Sequence, residues 1–137
     1  MVPRAYPKVT PLSGVDLFAR GIELFNRRAF FDCHELLEEL WRPERGPCRF
    51  FLQGIIHLAV GFYHYQQGNR VGTERQLRKG LKKLAGYLPE FADVDTASLS
   101  REGIACLEAI ARDAKIERFP TIRPPSSCAE PPRPIRR

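Results

Sequence analysis

The sequence predicts an all-α fold, a compact bundle of about five helices. Two observations carry this. Apolar residues recur at three- and four-residue spacing in successive stretches divided by Gly, Asn or Pro, and no stretch alternates with the two-residue period of a strand. The 137 residues are 43% hydrophobic and 28% charged. A fold of that length buries roughly two thirds of its unfolded surface and needs no disulfide or metal to hold it. One helical domain over 12–120 is expected, between an extended arm at 1–11 with three prolines and a flexible tail at 121–137.

Each helix has its own signals. Val15, Phe18, Ile22 and Phe25 predict a first helix over about 14–26, with Ser13 and Asp16 as its capping box and Asn26 as its stop. Asp32 and Glu35 predict the cap of a second helix. Phe31 and Leu36 would be its hydrophobic staple, and Pro43 ends it near Trp41 or Arg42. A third helix starts near Pro47 and stops before Gly68-Asn69. Apolar residues cover most of its circumference, which makes it the central helix. A fourth runs from about Thr73, with Thr73 and Gln76 as capping box, to Tyr87, on a seam of Leu77, Leu81, Leu84 and Leu88. A fifth follows Asp95 and turns Leu99, Gly103, Leu107, Ile110 and Ala114 inward, with Ile104 and Ala111 widening that face.

Several function classes lack sequence support. Cys33, Cys48, Cys106 and Cys128 form no C-x-x-C, so a zinc ribbon or dithiol redox motif is not expected. The start of the chain has no apolar signal core, so a cytoplasmic setting with reduced thiols is expected. The most apolar run, Phe50 to Tyr65, falls short of the ~20 apolar residues of a membrane span and is interrupted by Gln53, His57 and His64. Phosphate-binding glycine loops and the nucleophile-elbow serine motif are absent.

Polar residues at core-edge positions are the candidates for chemistry. His34 and Glu38 are one turn apart beside the apolar arc of helix 2, next to Trp41. Gln53, His57 and His64 form a polar stripe on the otherwise apolar helix 3, and burying that stripe unpartnered would be costly. Consecutive helices pack side by side, so His34, Glu38, Trp41, Gln53, His57 and His64 are expected to line a polar pocket. Two readings of it stand side by side. In one, His34, Glu38 and His57 converge on a divalent metal (zinc, iron or manganese), the one cofactor the sequence suggests, and Glu35 is the base of a metal-dependent hydrolase. In the other, Glu38 hydrogen-bonds a histidine and fixes the register of two helices, within a ligand-binding or scaffold module. Cys33 lies in the apolar arc and is expected to be inert. Trp41, Phe30, Phe31, Phe50, Phe51, Phe62 and Tyr63 are expected in the core or, alternatively, lining a small pocket beside His34 and Glu38.

Charge supplies a second signal. The formal net charge is +6, but residues 1–11 and 124–137 account for +4 of it. Residues 32–44 carry a net −4, and residues 70–83 a net +5. On helix 4, Arg75, Arg78, Lys79, Lys82 and Lys83 form a basic surface that suits nucleic acid or an acidic protein. The segregation also suits a homodimer in which acidic helix 2 meets basic helix 4. No membrane association is expected.

The combination of Phe25-Asn26, Phe30-Phe31, His34-Glu35, Leu37-Glu38-Glu39 and Trp41 with Phe51-Leu52-Gln53-Gly54-Ile55-Ile56, Gly68-Asn69 and Gly72 resembles the family called domain of unknown function 309. The resemblance extends over about residues 15–115. It implies a small all-helical prokaryotic protein with no assigned activity. Its motif positions are His34, Glu35, Glu38, Trp41, Gln53 and Gly54. Thr73 stands where the family commonly has alanine.

Overall fold

A computed structural model describes residues 14–125. The expected arm, the Ser13 half of the first capping box, Cys128 and most of the expected tail lie outside the described residues. Five α-helices follow one another: α1 (Gly14–Asn26), α2 (Phe30–Trp41), α3 (Cys48–Gln66), α4 (Arg70–Leu84) and α5 (Thr96–Ala111), with one 3-10 turn at Ala85–Tyr87. Among the described residues there is no β-strand, only an isolated bridge between Phe91 and Val94. The all-α expectation holds.

Three helix starts show which local signals won. Asp95 caps α5 as expected, accepting from the Ser98 N–H at 2.9 Å. α2 begins at Phe30, earlier than its expected Asp32 cap, and Ala29 precedes it with no side-chain cap. Burial explains the extra turn. Phe30 is 1% exposed and meets Phe25 edge-on and Phe62 at 5.3 Å, so core packing extends the helix past its acidic pair. α4 begins at Arg70, because Asn69 takes the capping role through the Gly72 N–H at 2.9 Å. Thr73 is fully buried inside the helix, and its hydroxyl donates to the Asn69 carbonyl at 2.8 Å. The Thr73–Gln76 capping box therefore does not form, and Gln76 is free for the site described below.

α3 is the hub, packed against α2 on one flank and α4 on the other, while α1 packs on α2 and α5 on α4. Its inner face (Phe51, Ile55, Leu58, Phe62) meets Phe25, Phe30, Leu77, Leu84 and Leu99 in the core. Several expectations about burial need correction. Val15 and Leu88, expected on apolar seams, are 78% and 47% exposed. Phe31 and Phe50 are exposed, at 43% and 55%. On α5, Ile104 and Ala111 face outward while Cys106 and Ala109 are buried, and the helix ends before Ala114.

The stretch 121–125, expected to open the tail, is packed down. Asn26 both accepts from the Ile122 N–H at 2.7 Å and donates to the Ile122 carbonyl at 2.9 Å, and Ile122 is 2% exposed. A short polar pair thus ties the end of α1 to a segment 96 residues later. No helix among the described residues is long and apolar enough to cross a membrane.

Candidate functional site

The α3–α4 hairpin turns at Gly68, whose φ of +81° is open to glycine without strain. Residues that meet across it straddle Gly68 almost symmetrically: His64 with Gly72, Gly61 with Gln76 and Leu77, His57 with Gly80. Glycines make this approach possible. A Cβ on Gly72 would lie 2.9 Å from the His64 ring, and a Cβ on Gly54 would lie 3.0 Å from Leu84. The glycine of the Gln53-Gly54 motif is thereby accounted for as a point of close helix contact.

This packing turns His57 toward α4. Its Nδ1–H donates to Gln76 Oε1 at 2.7 Å, which leaves Nε2 as an acceptor in the neutral ring. Burial lowers the His57 pKa from the ordinary histidine value, against the Gln76 hydrogen bond, and the ammonium groups of Lys83 and Lys79 lower it further. His57 is thus held neutral by its surroundings near physiological pH.

The α2 residues stand on the opposite flank of α3. His34 Nδ1–H donates to the Phe31 carbonyl of its own helix at 2.8 Å, and its ring packs on Phe31, which in turn meets Tyr63 of α3 at 5.3 Å. Glu38 pairs with Arg42 one turn on, at 3.6 Å. His64 packs on the first turn of α4, with a long 3.5 Å contact from Asn69 Nδ2. The three expected metal ligands thus face different partners. Among the described residues no three His, Cys, Asp or Glu side chains are gathered so as to hold a metal ion. The expected convergence of His34, Glu38 and His57 does not form. Glu35 is exposed on α2, away from any such centre.

The outward sides of α2, α3 and α4 form a broad face. Its floor is the outward stripe of α3: Phe50, Gln53, His57, Val60 and His64, at alternating three- and four-residue spacing. One wall is α2, with Phe31, His34, Glu38 and Trp41. The other is α4, with Gly72, Gln76, Lys79 and Lys83. The Lys83 ammonium sits 5.3 Å from the Phe50 ring centre. Trp41 closes the α2 side. The Arg49 guanidinium lies 4.2 Å above its ring and donates to the Trp41 carbonyl at 3.0 Å and the Glu44 carbonyl at 2.8 Å. The Trp41 Nε1–H is buried with no acceptor.

The five basic residues of α4 lie on one broad arc opposite its leucines. Lys79 and Lys83 border α3, whereas Arg75, Arg78 and Lys82 point outward and Arg78 is engaged by Glu74 at 2.9 Å. Cys33, Cys48 and Cys106 are free thiols. Burial pushes Cys33 up to about 12 and Cys106 to about 11, so neither is a nucleophile at neutral pH.

Gln76 and Arg49 were not singled out from sequence as parts of this surface. A signal for Gln76 was present: counting equal distances from Gly68 in both directions pairs it with the α3 stripe.

A curated relative, the uncharacterized protein YpuF of Bacillus subtilis (strain 168), is 35% identical over 65 residues, or 46% of this chain. The aligned stretch spans 37% of the length of YpuF. Residues 18–76, from α1 into the first half of α4 and including every motif position of the proposed face, match the family described as domain of unknown function (DUF309), the family named by the resemblance of the motifs.

Proposed function

We propose that this protein is a scaffold module that docks protein on the α2–α3–α4 face, and that the occupant its charges favour is a second copy of the chain. The observation that carries the reading is the placement of opposite charges on the two walls of one face. Glu38, paired with Arg42, lies on the α2 wall with the exposed Glu35 one turn before it, and Lys79 and Lys83 lie along the α4 wall, about a floor with exposed aromatic carbon at its edges. A two-fold axis running along α3 sets each α2 against the α4 of the other copy, so both edges of the interface are attractive. An axis across α3 would set like against like.

The chemistry of the floor supports docking over catalysis. His34 and His57 each spend one ring nitrogen on a nearby acceptor, and no three-ligand metal group occurs among the described residues. Phe31 and Phe50 supply the aromatic anchors that interfaces favour.

Sedimentation equilibrium over a range of protein concentration, at low and at high salt, tests the reading. The expected result is a reversible dimer that weakens as salt rises, since exposed ion pairs are screened. A monomer at all concentrations at low salt, or a dimer indifferent both to salt and to Phe50→Ala, would overturn it.

A further inference from the structure

Apart from that face, we infer a binding site for a phosphate-type oxyanion between the end of α1, α5 and the segment 118–123. A polar cavity of about 200 Å³ opens there. At ~30 Å³ per water it has room for a phosphate group and its nearest waters.

Three arginines line it: Arg28, Arg118 and Arg123. Arg123 is already neutralised, donating to Glu102 Oε2 at 2.7 Å. The other Glu102 oxygen accepts from the Thr121 N–H at 3.2 Å, so that carboxylate is committed to the wall. Arg28 and Arg118 have no carboxylate partner among the described residues. Arg28 and Arg118 thus line one small cavity whose single carboxylate, Glu102, is spent on Arg123 and Thr121, and a tetrahedral anion would satisfy their planar donor forks.

The cavity is also rigidly built. Arg28 adopts a left-handed φ of +66°, its carbonyl accepts from Gln66 Nε2 at 3.1 Å, and its guanidinium lies 5.0 Å over the Phe119 ring. That stack orients the fork instead of leaving it to solvent. The far wall is pinned by the paired Asn26–Ile122 hydrogen bonds. Thr121 Oγ1 accepts from Arg123, which leaves its hydroxyl hydrogen for the ligand. No anion-binding motif marks this site in sequence, because its residues come from three separated segments.

Free phosphate and a phosphate monoester share this chemistry. The full chain would be titrated with inorganic phosphate and with phosphoserine at constant ionic strength, following the arginine side-chain N–H signals by NMR, with acetate as the carboxylate control. Saturable shifts at Arg28 and Arg118 with phosphate or phosphoserine are expected, and the tighter of the two identifies the source. Arg28→Gln and Arg118→Gln should each weaken binding by about tenfold. Arg118 is exposed, so its variant keeps the fold, which a thermal melt checks. The paired variant Arg75→Gln/Lys82→Gln on the outer face of α4 should leave binding unchanged. Shifts that never saturate, an acetate affinity equal to that of phosphate, or binding lost equally in the α4 variant would overturn the proposal.

Discussion

The Gly54 carbonyl oxygen lies 2.8 Å from the point where a Cβ on Gly80 would stand. Two helices of the hub therefore touch backbone to backbone, and this contact sets the depth of the face between α2 and α4. Because the obstructing atom is a main-chain oxygen, Gly80→Ala cannot be relieved by a rotamer change. We expect it to destabilise the protein by about 1–3 kcal/mol, despite the usual helix gain of alanine over glycine. Gly86→Ala is the matched control, since a Cβ there meets nothing within 4 Å, and it should be neutral to slightly stabilising. Urea denaturation of both variants measures the contrast.

His57 gives the fold a pH dependence of known sign. Its pKa is lowered in the folded state, chiefly by burial. The unfolded chain then binds the proton more readily, and stability falls with falling pH. The contribution is fully present above the unfolded value near 6.5 and is lost as pH drops through the lower folded value. Denaturation midpoints at several pH values from 8 to 5 should decline on acidification, and His57→Leu should flatten that part of the curve. An unchanged slope in the variant would remove His57 as its source.

The caps of α4 and α5 make a paired prediction. Asn69→Ala removes the acceptor for the Gly72 N–H, and Asp95→Ala the acceptor for the Ser98 N–H. Each should cost about 1 kcal/mol. They differ in acid: two hydrogen bonds from Ser98, backbone N–H and hydroxyl, hold Asp95 below the ordinary aspartate value. Its contribution is lost as pH falls through that depressed pKa, whereas that of Asn69 is not. Thermal melts at pH 7 and pH 3 separate the two.

The end of the described chain offers a further test. Asn26→Ala leaves the Ile122 N–H and carbonyl without their partner. Hydrogen exchange across 118–123 should accelerate in this variant well before exchange in α3 does. Equal acceleration everywhere would mean that the segment unfolds only with the whole protein.

How much of this was legible in sequence depended on the range of the forces involved. The five helices and the centrality of α3 followed from periodic apolar residues, and Asp95 from a local capping pattern. Two other starts were misplaced because competing local acceptors, Asp32 and Thr73, could not be weighed against the burial of Phe30 and the cap at Asn69. The polar stripe of α3 stood out in sequence, since His and Gln on an apolar helix are conspicuous. The partners of the histidines did not: His57 takes Gln76 across a glycine-lined contact, and His34 takes its own backbone, choices made by helix packing. Phe31 and Phe50 were placed in the core from their residue type, yet their positions on the outer arcs of α2 and α3 decide otherwise.

If opposite charges on α2 and α4 join two copies across α3, swapping them should break the dimer and mixing the swapped variants should restore it. The variant Glu35→Lys/Glu38→Lys makes both walls basic, and Lys79→Glu/Lys83→Glu makes both acidic. Each alone should sediment as a monomer at low salt, and an equimolar mixture should recover the dimer, because both edges then pair basic with acidic. Two variants that dimerise as well as the parent, or a mixture that stays monomeric, would contradict the account.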